Sequence, residues 1–174
     1  MGPKLHSWLR PFQYVPFEYA PNILTFFLVY ARWFIACYIL ATLFLLPSVL
    51  QGTGASPWEK AFAIMSLAFA EEMARYQFSR RARSLLIAFA KFALIINVIE
   101  VLGALIIAIS DNTNPFVWFN LLRDRTGAVI LHFVLSGIMY AMIGRVPGVY
   151  IVLGASALHA SYNYFSHQLI DAIS

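Results

Sequence analysis

The 174-residue chain is 61% hydrophobic and only 11% charged, and its formal net charge is +4 at pH 7. Because soluble domains carry about 25% charged residues, this composition excludes an ordinary soluble domain and indicates a polytopic membrane protein. The small positive charge sits mainly in short connections, which fits membrane orientation and argues against nucleic-acid binding. Cys37 is the only cysteine, so an internal disulfide and a cysteine-based metal motif are both excluded.

Residues 1–22 are predicted to form an interfacial segment on the membrane surface. Aromatic side chains such as Trp8, Tyr14 and Tyr19 suit the headgroup region, where tyrosine and tryptophan collect. Pro11 and Pro16 interrupt the segment before a signal-peptide core could form. Residues 23–174 are then expected to make up a single transmembrane bundle.

Five apolar segments approach the roughly 20 residues that a spanning helix needs. The predicted spans are 23–46, 58–78, 85–109, 126–143 and 149–170. The first is expected to end before Pro47, and the long connection 110–125 is expected to include an interfacial helix at 116–122. The predicted fold class is therefore all-α, a polytopic membrane bundle of about five transmembrane helices.

The basic residues of the short connections predict the orientation, because they accumulate on the cytoplasmic side. One side would hold Lys4, Arg10, Arg80, Arg81, Arg83 and Arg145, and the other would hold Lys60, Arg123 and Arg125. We therefore expect an integral membrane protein with its N-terminus in the cytoplasm.

Glu71 and Glu72 lie side by side within the second predicted span. A carboxylate in hydrocarbon costs about 2.5–3.5 kcal/mol on insertion scales, so such a residue indicates a functional site. Arg75 follows Glu71 by four residues and Glu72 by three, which places it within reach of both on one helical face. The two glutamates point about 100° apart, so one can face Arg75 while the other faces a cavity. The motif predicts a general base or acid, with a structural ion pair as the alternative.

Two histidines lie inside later apolar spans, His132 in the fourth and His159 in the fifth. Asn163 follows His159 by four residues and shares its side of the helix. Polar groups on three spans avoid lipid only by facing the interior, so we expect them to converge with the glutamates.

Two chemical uses suit this set of side chains. In the first, a glutamate activates water while a histidine and Asn163 stabilise the oxyanion of a tetrahedral intermediate. In the second, His132, His159 and Glu72 bind a zinc ion whose water becomes the nucleophile. The sequence lacks the His-Glu-x-x-His signature, so the zinc hypothesis depends on convergence between helices.

The combined motifs resemble those of the CAAX-protease and bacteriocin-processing enzymes and of the PrsW-type proteases. The resemblance is carried by Glu71-Glu72-x-x-Arg75, by the lone His132 and by His159-x-x-x-Asn163. It implies an intramembrane peptidase of a prokaryotic plasma membrane. Glu71 and Glu72 would be catalytic, Arg75 would orient them, and His132, His159 and Asn163 would complete the site. Arg75 stands one residue earlier than in most CAAX proteases, and PrsW-type enzymes usually have lysine there and aspartate in place of the final asparagine.

The stretch from Ala70 to Ala82 also resembles the anterior-pharynx-defective subunit of γ-secretase, a scaffold of the same superfamily. That subunit lacks the first glutamate, so Glu71 favours retained activity. The expected substrate is a membrane-embedded or membrane-proximal peptide, and a membrane-protein partner or a second copy of the chain fits the scaffold alternative. A small transporter with Glu72 and His159 as a proton relay is a third hypothesis, against which the chain shows no inverted repeat.

Overall fold

The computed structural model describes residues 23–80, 84–110 and 115–171, and all five predicted helices are present in this part. They are α1 (Ile23–Gln51), α2 (Pro57–Arg80), α3 (Leu85–Ser110), α4 (Pro115–Met142) and α5 (Gly148–Asp171). The all-α fold is thereby confirmed. The predicted interfacial segment 1–22 lies outside the described residues.

Three of the described helices are long and apolar enough to cross a membrane. They contain the stretches Ile23–Gln51, Leu85–Ile106 and Arg125–Met142. These stretches fit an integral membrane protein, since each exceeds or approaches the length of the hydrocarbon core. The remaining two helices, α2 and α5, carry Glu71, Glu72, Arg75 and His159.

Two helix boundaries differ from the expectation. Helix α1 continues through Pro47 to Gln51. A proline near a helix end removes one hydrogen bond, and a helical backbone is favoured in an apolar medium because it satisfies its own polar groups. Helix α4 begins at Pro115 and runs without interruption through 116–122, so the predicted interfacial helix belongs to the fourth helix. Proline suits the first helical position, where its missing N–H has no partner to lose.

The turn between α1 and α2 is closed by two capping motifs. Gly52 takes a left-handed φ of 64°, and the backbone amides of Gly52 and Thr53 donate to the carbonyls of Val49 and Ser48. This pattern is a Schellman motif. Ser56 and Glu59 then exchange backbone and side-chain hydrogen bonds across the start of α2, as in a capping box. The two motifs end α1 and begin α2 within a short turn, and the two helices pack against each other.

Helix α2 occupies the centre of the bundle. It packs against α1, α3 and α5, while α4 packs against α3 and α5. Twelve of its 24 residues are buried, whereas α1 buries only Phe26, Cys37 and Ala41 among its 29. Helix α2 therefore presents its polar residues to protein on several sides.

Glycine permits a close approach between α4 and α5. A Cβ atom built on Gly127 would collide with the hydroxyl of Tyr162. Small residues commonly allow such approaches between membrane helices. The contact brings the middle of α4, where His132 lies, toward the middle of α5.

Candidate functional site

A buried polar cluster joins α2, α4 and α5 inside the bundle. It consists of Glu71, Glu72 and Arg75 from α2, His132 from α4 and His159 from α5, and none of them exposes more than 7% of its surface. The end of α2, the end of α4 and the start of α5 lie on the same side of the bundle. At a rise of 1.5 Å per residue, these helix ends are about 12–17 Å from Glu72, His132 and His159. The cluster is therefore deep in the predicted membrane region.

Arg75 contacts three of the other four residues of the cluster. Its Nη2 donates to Oε1 of Glu71 at 2.9 Å and lies 3.3 Å from Oε1 of Glu72. Its Nη1 donates to the main-chain carbonyl oxygen of His132 at 2.9 Å and to Oγ of Ser136 at 3.4 Å. A fully buried guanidinium needs this many acceptors, because burying an uncompensated charge costs several kcal/mol.

Glu72 is held through one of its two carboxylate oxygens. Nδ1 of His159 lies 2.8 Å from Oε1, the same oxygen that faces Arg75. Oε2 is buried and accepts no hydrogen bond from any residue in the described part of the chain. Buried acceptors are almost always satisfied, so an orphan oxygen of this kind requires a further donor such as water.

Both ring nitrogens of His132 face charged groups. Nδ1 lies 2.8 Å from Nη2 of Arg75 and 3.1 Å from Oε1 of Glu71. Nε2 lies 3.3 Å from Oε2 of Glu100, a residue of α3. The ring also packs edge-to-face on that of His159, with centroids 5.3 Å apart and planes at 81°. His132 thus connects the α2 carboxylates to a third carboxylate.

The charges of the cluster nearly balance. Three carboxylates (Glu71, Glu72 and Glu100) are linked by ion pairs to the guanidiniums of Arg75 and Arg125 and to two imidazoles. One protonated imidazole makes this set neutral. Neutrality favours burial in a low-dielectric interior, where an unpaired charge is most costly.

Five of the six predicted site residues meet in this cluster: Glu71, Glu72, Arg75, His132 and His159. Asn163 is half-buried on α5, one turn beyond His159. Among the residues that the structure describes, no hydrogen bond joins its side chain to the cluster. Its assignment to the site stays a prediction.

Glu100 and Arg125 join the cluster although the sequence analysis did not include them. Arg125 lies within α4 rather than in a connection, and its Nη1 is 3.7 Å from Oε2 of Glu100. The sequence does single out Glu100, because it is the one carboxylate in the apolar sequence of α3. The rule that drew attention to Glu71 and Glu72 applies to it equally.

The arrangement does not fit the predicted zinc site. Ligand atoms of Glu71, His132 and His159 lie within 4.8 Å of one another, so Glu71 replaces the predicted Glu72 in this group. Zinc would need lone pairs on all three atoms. Nη2 of Arg75, which is only a donor, already faces Oε1 of Glu71 at 2.9 Å and Nδ1 of His132 at 2.8 Å. The guanidinium therefore competes with an ion for two of the three ligand atoms.

We expect purified protein to contain substoichiometric zinc, because the Arg75 guanidinium competes for two of the three ligand atoms. Elemental analysis measures the zinc content, and thermal unfolding with and without a chelator measures any stabilisation by a bound ion. One zinc per chain, lost in the His132→Gln variant, would contradict this expectation. His167→Gln, two turns beyond His159 along the sequence of α5, serves as the matched histidine control.

In comparisons with known proteins, no protein-family model, no curated protein and no solved structure matches the chain. The chemistry of the cluster must therefore be argued from its own geometry.

Proposed function

We propose that this chain is an intramembrane hydrolase, a peptidase in which Glu72 activates water for attack on a peptide carbonyl. One observation carries the proposal: Glu72 is fully buried, its Oε1 is fixed by Arg75 and His159, and its Oε2 has no donor among the residues that the structure describes. A general base needs a fixed carboxylate with one oxygen available to the proton that it removes.

The proposed reaction has two steps. Water on Oε2 of Glu72 gives a proton to that oxygen while its own oxygen forms a bond to the carbonyl carbon. The tetrahedral intermediate then breaks the carbon–nitrogen bond, and Glu72 returns the proton to the leaving amine. The buried charge of Arg75 and the imidazoles of His132 and His159 favour the oxyanion. Asn163 is assigned as a further amide donor to it.

A groove beside the cluster supports entry of the substrate from the membrane. It has a volume of about 360 Å³ and is lined by Ala61, Ile64 and Met65 of α2 and by Ala160, Ser161 and Tyr164 of α5. Ala160 is the neighbour of His159 in the chain. A hydrophobic peptide segment in this apolar groove would lie between α2 and α5, the two helices that carry Glu72 and His159.

The motif resemblance to the CAAX-protease and PrsW-type enzymes supports the same activity. It also supports the proposal that the protein lies in a prokaryotic plasma membrane, and the basic residues of the short connections support a cytoplasmic N-terminus. The position of Arg75 departs from that pattern by one residue, yet its side chain still contacts both glutamates.

The test is peptide hydrolysis in proteoliposomes prepared in water enriched in oxygen-18. We expect the purified chain to cleave at least one member of a pool of synthetic transmembrane peptides and to place one oxygen-18 atom in the new carboxyl terminus. Mass spectrometry of the fragments measures both results. A folded protein that cleaves no peptide in the pool would contradict the proposal.

A non-catalytic scaffold is the second candidate function. It is favoured by the bonds from Arg75 to the main-chain carbonyl of His132 and to Ser136, which tie α2 to α4 as a structural network would. A scaffold would co-purify with a membrane-protein partner and would cleave none of the peptides. The orphan oxygen of Glu72 favours the hydrolase, because a purely structural network gains nothing from an unsatisfied acceptor.

A further inference from the structure

Glu100 occupies a distinct place at the edge of the cluster. It lies on α3, which carries none of the motif residues, and its side chain is 26% exposed. Its Oε2 faces two groups of α4, Nε2 of His132 at 3.3 Å and Nη1 of Arg125 at 3.7 Å. The carboxylate therefore faces Nε2 of the His132 ring, whereas Glu71 and Arg75 face Nδ1.

The contacts of His132 determine where its proton resides. Nη2 of Arg75 has only hydrogens to offer, and it lies 2.8 Å from Nδ1. A neutral ring with its proton on Nδ1 could donate to Oε1 of Glu71 at 3.1 Å, but it would turn the lone pair of Nε2 toward the Glu100 carboxylate. The contact with Glu100 would then be repulsive. The neutral tautomer with its proton on Nε2, and the doubly protonated ring, both place N–H toward Glu100 instead.

We propose that Glu100 is a positioning residue whose carboxylate keeps a proton on Nε2 of His132 and fixes the ring against Glu71 and Arg75. A carboxylate that accepts from one ring nitrogen sets the tautomer and the orientation of the other. Arg125 holds the same oxygen from the outer side. The role of His132 in turnover rests on the proposed function, whereas the position of its proton can be measured without any substrate.

The test is nitrogen-15 NMR of histidine-labelled full-length chain in nanodiscs, with the His132 signals assigned by their loss in His132→Gln. We expect a directly bonded proton on Nε2 in the wild-type protein. Glu100→Leu removes the acceptor, so the Nε2–H signal should shift and a population with the proton on Nδ1 should appear. Glu100→Gln keeps an oxygen acceptor and should retain the Nε2 proton.

The matched control is Glu59→Gln, which changes a glutamate at the start of α2, far along the chain from the cluster, and should leave the His132 signals unchanged. An unprotonated Nε2 in the wild type, or identical His132 signals in Glu100→Leu, would overturn the proposal. Where peptide cleavage is measured, Glu100→Leu should lower kcat at least about tenfold with KM nearly unchanged, since positioning acts on the transition state. An active chain whose kcat is unchanged in Glu100→Leu would also overturn it, and an inactive chain that passes the NMR test would count only against the hydrolase.

Discussion

Glu72→Gln is expected to remove peptide hydrolysis while the protein keeps its fold. Glutamine matches glutamate in shape, and its amide oxygen can still accept a hydrogen bond from His159 in place of Oε1. It cannot take a proton from water at neutral pH. General acid–base catalysis contributes about 10²- to 10⁴-fold, so we expect kcat to fall by that factor. Initial rates of peptide cleavage in proteoliposomes measure the loss.

Glu71→Gln is the matched control, since it makes the same change one residue earlier. Oε1 of Glu71 already accepts from Arg75, and the amide oxygen of glutamine can continue to do so. We expect a smaller loss, within about tenfold, because Glu71 acts through Arg75 and His132. Full activity in both variants would refute the general-base assignment. Full activity in Glu72→Gln with loss in Glu71→Gln would transfer the role to Glu71.

Arg75→Met is expected to cause the largest loss of stability of any single substitution in the cluster. Methionine fills similar space in the core but leaves the carboxylates of Glu71 and Glu72 buried without their cation. Breaking a buried ion pair from one side costs about 3–5 kcal/mol. Equilibrium unfolding in detergent micelles, followed by circular dichroism, measures the change in the free energy of unfolding.

The charge explanation for Arg75 can be separated from simple loss of packing. Adding Glu71→Gln and Glu72→Gln to the Arg75→Met variant removes the two buried carboxylate charges that have lost their cation, and should restore part of the stability. Arg32→Met is the control, because the Arg32 guanidinium lies on the exposed side of α1, 5.9 Å from the Trp33 ring. Its effect should stay within about 1 kcal/mol. A triple variant no more stable than Arg75→Met would contradict the charge explanation.

The sequence was sufficient for the number of helices and for most of the cluster. Apolar runs of membrane-spanning length are strong signals, and the spacing of Glu71 and Arg75 predicts the ion pair that forms at 2.9 Å. The convergence of His132 and His159 followed from the cost of exposing them to lipid. The structure places their rings 5.3 Å apart.

The sequence does not predict which polar side chain contacts which. Helical spacing shows which residues share a face, but the rotation of one helix against another decides whether Nδ1 or Nε2 of His132 meets a given carboxylate. The sequence predicts a connection over residues 110–125, with Arg125 at its end, because polar residues and a proline follow Ser110. Helix α4 instead continues through that region, which allows Arg125 to reach Glu100.

The central position of α2 has a consequence for how the protein is assembled during synthesis. A segment with two carboxylates and a guanidinium partitions poorly into lipid by itself, whereas α1, α3 and α4 contain stretches apolar enough to do so. The imidazoles that contact the α2 carboxylates are translated later, as parts of α4 and α5. Stable integration of the second helix must therefore wait for the end of the chain, so truncated nascent chains should leave it exposed to quality-control proteases.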